Sequence, residues 1–126
     1  MPEHPLHASR CKQDAPAGLA RWRNLTCEAN AAFAYGDHGH ARPAYVQELR
    51  MAERLIGAPE FLLSPDDCLA ALVVSHHNLA DLHRHTGDIP AAIAHVCLPH
   101  QALLDLARAS GAPDQARLCA MRHLGK

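Results

Sequence analysis

Aromatic side chains are scarce in this chain, with one tryptophan, two tyrosines and two phenylalanines among 126 residues. Runs of β-branched residues alternating with polar ones are missing, which argues against strands. There is no charge excess of either sign. The formal charge is −1, with acids and bases interspersed. Nucleic acid and anionic membranes both need a basic patch, so neither is expected as a partner. The longest strongly apolar run, Cys68 to Val74, falls far short of the roughly 20 residues that span a bilayer. The opening Met1-Pro2-Glu3-His4-Pro5 lacks the basic start and apolar stretch of a signal peptide, so a cytoplasmic location is expected. The five cysteines include no C-x-x-C pair and read as reduced thiols. No G-x-S-x-G, phosphate-binding glycine loop or H-E-x-x-H motif occurs, and no enzyme activity is expected.

What is present is alanine, leucine and histidine. Apolar residues make up 48% of the chain, mostly helix formers, and eleven residues are histidine. The length suits one domain with a core of its own. Residues 1–14 read as a loose N-terminal arm, followed by a single all-α domain over 15–126. A first helix is expected over about 16–35, with Leu19, Trp22, Leu25 or Thr26, Ala29 and Phe33 on one stripe. Gly36-Asp37-His38-Gly39 ends it. A second helix begins near His40, with Pro43 tolerated in its first turn, and stops at Gly57-Ala58-Pro59. Its apolar face is Tyr45, Leu49, Ala52, Leu55 and Ile56. Residues 60–63 form a connector. Ser64 then caps a third helix that carries Pro65 and two acids in its first turn and runs to about Thr86. Asp88 caps a fourth helix over about 89–110, which Pro99 should kink or break. A closing helix spans 114–124.

One phrase occurs twice. Ala29-Asn30-Ala31-Ala32-Phe33-Ala34-Tyr35-Gly36-Asp37, followed by Ala41 and Tyr45, is answered by Asn78-Leu79-Ala80, Gly87-Asp88, Ala92 and Val96. Gly36 and Gly87 stand 51 positions apart, as do Ala41 and Ala92. A small residue, a Gly-Asp turn and another small residue describe a helix hairpin packed tightly at its elbow. Repetition at a fixed offset marks stacked helical units. On these residues the chain resembles the tetratricopeptide repeat family over roughly residues 20–107. The family's repeat is about 34 residues long, and where its second helix commonly carries a small residue this chain has Glu48 and Pro99. The resemblance implies two antiparallel hairpins, about 16–57 and 64–110, in a right-handed superhelical stack closed by a short C-terminal helix.

It also implies that the first helix of each hairpin lines a concave groove for a peptide or helix of a partner protein. In register those residues are Arg23, Thr26, Cys27, Asn30 and Phe33, then Val74, His77, Asn78, Asp81, Arg84 and His85. Amides there can bond a peptide backbone and arginines can fork onto carboxylates. The alternative use of Asn78 is to tie neighbouring helices together. An interaction module is therefore the leading reading, and a homo-oligomer formed through an exposed apolar edge is an option.

Two other constellations carry possible chemistry. His77, Asp81 and His85 share one helix face and, with Cys27 from a neighbouring helix, form a potential zinc or copper ligand set or pH sensor. Cys97 and His100 form a second potential pair. His76 and His83 fall on the packing stripe and are expected to be half-buried, bonding backbone carbonyls. His38 and His40 are expected to be exposed in a turn. Cys68, Cys97 and Cys119 are expected as small core residues.

Overall fold

The computed structural model describes residues 17–125, so the N-terminal arm lies outside the described residues. Among them every regular element is helical: α1 (Ala17–Ala34), α2 (His38–Ile56), α3 (Pro59–Leu63), α4 (Pro65–His85), α5 (Ile89–Arg108) and α6 (Asp114–Leu124). None is long and apolar enough to cross a membrane. Neighbouring long helices pack antiparallel as two hairpins, α1–α2 and α4–α5, and α6 folds back on α5.

Both hairpins turn on the same chemistry. Gly36 and Gly87 have φ of +78° and +87°, the left-handed region that glycine enters without a Cβ penalty. Asp37 and Asp88 then cap the following helices, their side chains accepting from the His40 and Ala91 amides at 3.2 and 3.1 Å. α2 begins at His38, two residues earlier than the sequence suggested. Pro43 thus falls in its second turn, where it withholds an amide from the Gly39 carbonyl. Ser64 makes no side-chain cap, and Pro65 at the first position starts α4 instead. The connector contains the single turn α3, which buries Phe61. α5 remains one helix through Pro99, since only one amide is lost and Pro99 is buried against its neighbours.

α4 is the hub. It packs on α2 and α5 broadly and on α1, α3 and α6 more narrowly. Two apolar clusters result. The first, far from the Gly-Asp turns, joins Leu19, Leu55, Phe61, Leu69, Leu72 and Leu103 with Cys68 and Cys119. The second, at the turn end of the first hairpin, joins Ala29, Ala41, Ala44 and Tyr45 with Leu79 and Leu82 of α4. Alanines on α1 and α2 let the backbones approach, and Leu79 and Leu82 cover them. Each such leucine contributes roughly 1.5–3 kcal/mol by leaving water. Gly18 serves the same closeness elsewhere, for a Cβ there would lie 2.5 Å from the Leu55 Cδ2 atom. Cys97 is exposed rather than in the core, because α5 turns that face to solvent.

Gly87→Ala should lower the unfolding free energy by about 1 kcal/mol, because alanine must hold the left-handed conformation. Urea denaturation should show a lower midpoint with an unchanged slope.

Candidate functional site

Between the two apolar clusters lies a polar layer. Glu48 of α2 is fully buried. The Thr26 hydroxyl of α1 donates to its Oε2 at 2.5 Å, and the Asn78 amide of α4 donates to the same oxygen at 3.1 Å. Burial raises the Glu48 pKa above the usual carboxylate range, while the two donors oppose the rise. Beside this knot the Trp22 indole donates to Ser75 Oγ at 2.7 Å. The Tyr45 hydroxyl donates to Asn30 Oδ1 at 2.6 Å. Thr26 and Asn78, expected on a ligand-binding face, are thus turned inward to hold helices together. That position of Asn78 is the tying role weighed against peptide binding.

The other expected groove residues reach the surface. Arg23, Asn30, His77, Asp81, Arg84 and His85 are exposed, as are Cys27 and Val74, and Phe33 is half-buried. Phe33 meets the His85 ring edge-on at 5.0 Å between centroids and Tyr45 at 6.2 Å. His40 is exposed and lies 3.3 Å from Glu28, whereas His38 is half-buried against Phe33. The metal-ligand reading finds no support in the geometry. Asp81 pairs with Arg84 at 3.3 Å, and His85 Nδ1 sits 3.0 Å from the Asp81 backbone carbonyl. Among the described residues no three His, Cys, Asp or Glu side chains are arranged to hold a metal ion.

A histidine cluster fills the second hairpin instead. His76 and His83 of α4 are buried, and His95 of α5 is half-buried. The Nδ1 atoms of His76 and His95 lie 3.0 Å apart. A hydrogen bond between them requires one Nδ1 to carry a proton and the other to accept it. The His95 ring stacks on His83 at 5.5 Å, nearly parallel. Among the described residues, His83 Nδ1 is buried with no hydrogen-bond partner. These contacts replace the backbone carbonyls expected for His76 and His83. Burial, aided by the neighbouring imidazoles, pushes His76 down to about 4 and also lowers His95.

An apolar groove of about 310 Å³ lies between α4 and α5. Ala80 and Ala92 line it together with Ile89, Ile93 and Val96, and Asp81 and Arg84 border it. Ile89, Ile93 and Val96 are 50%, 58% and 57% exposed. Their spacing along one side of α5 was readable in the sequence, but which side α6 covers was not.

Residues 20–126 match the family model described as "Protein of unknown function (DUF2753)", and the chain belongs to that family. No curated protein and no solved structure matches it.

Two opposed pH effects follow. A carboxyl whose folded pKa is raised favours folding below its ordinary value near 4.5 and loses that contribution as pH rises through the folded value. Glu48→Gln keeps an acceptor for Thr26 and Asn78 and should remove this loss, leaving stability at pH 7 equal to or above wild type. Glu48→Ala should cost about 2–4 kcal/mol through a cavity and two unpaired donors. A histidine with a depressed pKa acts in the other direction. His76 contributes stability above 6.5 that disappears as pH falls towards about 4. His76→Leu should therefore flatten the acid limb of a stability profile measured by denaturant titration from pH 7 to 4.

Proposed function

We propose that this chain is a protein-interaction module of two tetratricopeptide-like hairpins that takes an apolar segment of a partner protein. The observation that carries the reading is the open groove between α4 and α5, with three large aliphatic side chains half exposed along α5. Aliphatic surface of this kind, rimmed by charged residues, marks docking sites. Asp81 and Arg84 supply that rim, and Arg23, Asn30, Phe33 and His77 lie on the exposed face of the helices that precede each turn. Three features support the tetratricopeptide likeness: the 51-residue offset, the matching Gly-Asp turns, and the way α4 packs on both helices of the first hairpin.

Ile93→Asp tests the reading, since position 93 is exposed and the change should leave stability within about 0.5 kcal/mol. The immobilised full chain should retain a stoichiometric protein from native lysate. Ile93→Asp should weaken that capture about 30-fold, the size of one hot-spot contact. Asn24→Asp, an exposed position on α1 outside this groove, should not. Equal capture of the same proteins by wild type and both variants would overturn the site.

A further inference from the structure

The fold contains its own template for what fills the groove. Advancing the first hairpin by 51 positions lays Ala29 on Ala80, Ala41 on Ala92, Tyr45 on Val96 and Glu48 on Pro99. In the first hairpin these positions are sealed by α4, whose Leu79 and Leu82 join their cluster and leave Tyr45 only 2% exposed. Against the second hairpin, α6 stands where α4 stands against the first. Cys119 and Ala120 are the counterparts of Cys68 and Leu69, and all four are buried. Like α4 on its hairpin, α6 packs mainly on the second helix and less on the first.

The two covers differ in length. α6 ends at Leu124, the counterpart of Val73, whereas α4 continues past Val73 to His85. What α4 covers with that second half, α6 leaves open. A groove of about 270 Å³ starts at His123 and Leu124 and runs between His77 and Pro99 to Val96. There it meets the 310 Å³ groove, which also includes Val96 and extends to Ile89 beside the Gly-Asp turn. The two form one trough on the line of α6.

We propose that this trough seats an amphipathic helix of a partner protein. The helix runs in the direction of α6 towards the Gly87-Asp88 turn. It carries two aliphatic side chains three residues apart, as α4 carries Leu79 and Leu82. The proposal rests on the docking reading above and names its ligand. The aliphatic pair enters over Ala80 and Ala92, against Ile93 and Val96, where two alanines leave room for large side chains. One turn earlier the first hairpin offers the Glu48 carboxylate to Asn78. The second offers His77 and His100 beside Pro99, so an acceptor side chain replaces the amide at that position of the partner. A second copy of the chain fits less well. Its exposed Leu118 and Met121 have the right spacing, but α6 is packed on its own α5 and would bring that hairpin with it.

The test extends the full chain after Leu124 with a copy of residues 74–86, so that α6 continues as α4 does. If the trough takes a helix of this pattern, the graft docks and the melting temperature rises by about 5 °C. The gain should vanish when the copied segment carries Leu79→Asp and Leu82→Asp, and when the host carries Ile93→Asp. An unchanged melting temperature with freely exchanging graft amides overturns the proposal. Because the graft supplies its own helix, this result does not depend on finding a partner. Capture lost with Ile93→Asp while the graft stays undocked would preserve the docking site and reject the helix. A dimer in light scattering that both Ile93→Asp and Leu118→Asp dissociate would assign the trough to a second copy and overturn the proposal equally.

Discussion

The Glu48 carboxyl group sets the register of the whole assembly. It is withdrawn from water, and such a group is tolerated inside a protein only where hydrogen bonds replace those to solvent. Thr26 and Asn78 provide them from two other helices. Sliding α4 by one turn along the first hairpin would remove Asn78 from Glu48 and Ser75 from Trp22 together. Apolar contacts alone would tolerate such a slip better, because alanine and leucine surfaces are similar from one turn to the next. With α4 fixed, the positions of α5 and α6 follow, since both pack against it.

The two hairpins share their turns and differ inside. Ala32 and Ala44 of the first correspond to His83 and His95 of the second, and Leu25 corresponds to His76. An interior of small and branched apolar side chains has become a cluster of imidazoles, in which burial lowers the pKa of His76 and of His95. The second hairpin therefore combines a buried histidine cluster with an apolar outer face that the described residues leave uncovered, whereas the first buries Glu48 and Tyr45 and is covered by α4. Repeat proteins commonly assign different duties to copies of one unit, and cover their end units with capping helices.

Much of the architecture was legible in the sequence because glycine, proline and aspartate act locally. Gly-Asp turns, the aspartate caps and Pro65 placed α1, α2, α4, α5 and α6 within a few residues of where they lie. Errors arose where a local rule met a tertiary competitor. Ser64 is a good cap by type, but its side chain makes no cap bond. Pro99 did not break α5, since packing outweighs one missing amide bond. Cys97 looked like Cys68 and Cys119 in its neighbourhood, yet α5 is covered on only part of its circumference. The polar layer was the least legible. Periodicity tells which residues share a face but not which helix meets that face. The tetratricopeptide resemblance therefore implies ligand contacts at Thr26 and Asn78, and leaves Glu48 only as a departure from that pattern. The histidine cluster was hidden similarly, for His95 had no reason in sequence to be linked with His76.

The indole of Trp22 has a consequence for optical work on this protein. It is the sole tryptophan, and it bonds a serine 53 positions away, across the junction of the two hairpins. Its emission therefore does not measure helix content, which circular dichroism senses. It reports whether one hairpin is seated on the other. A lag between the two signals during refolding would separate the making of the parts from their assembly, with no label added.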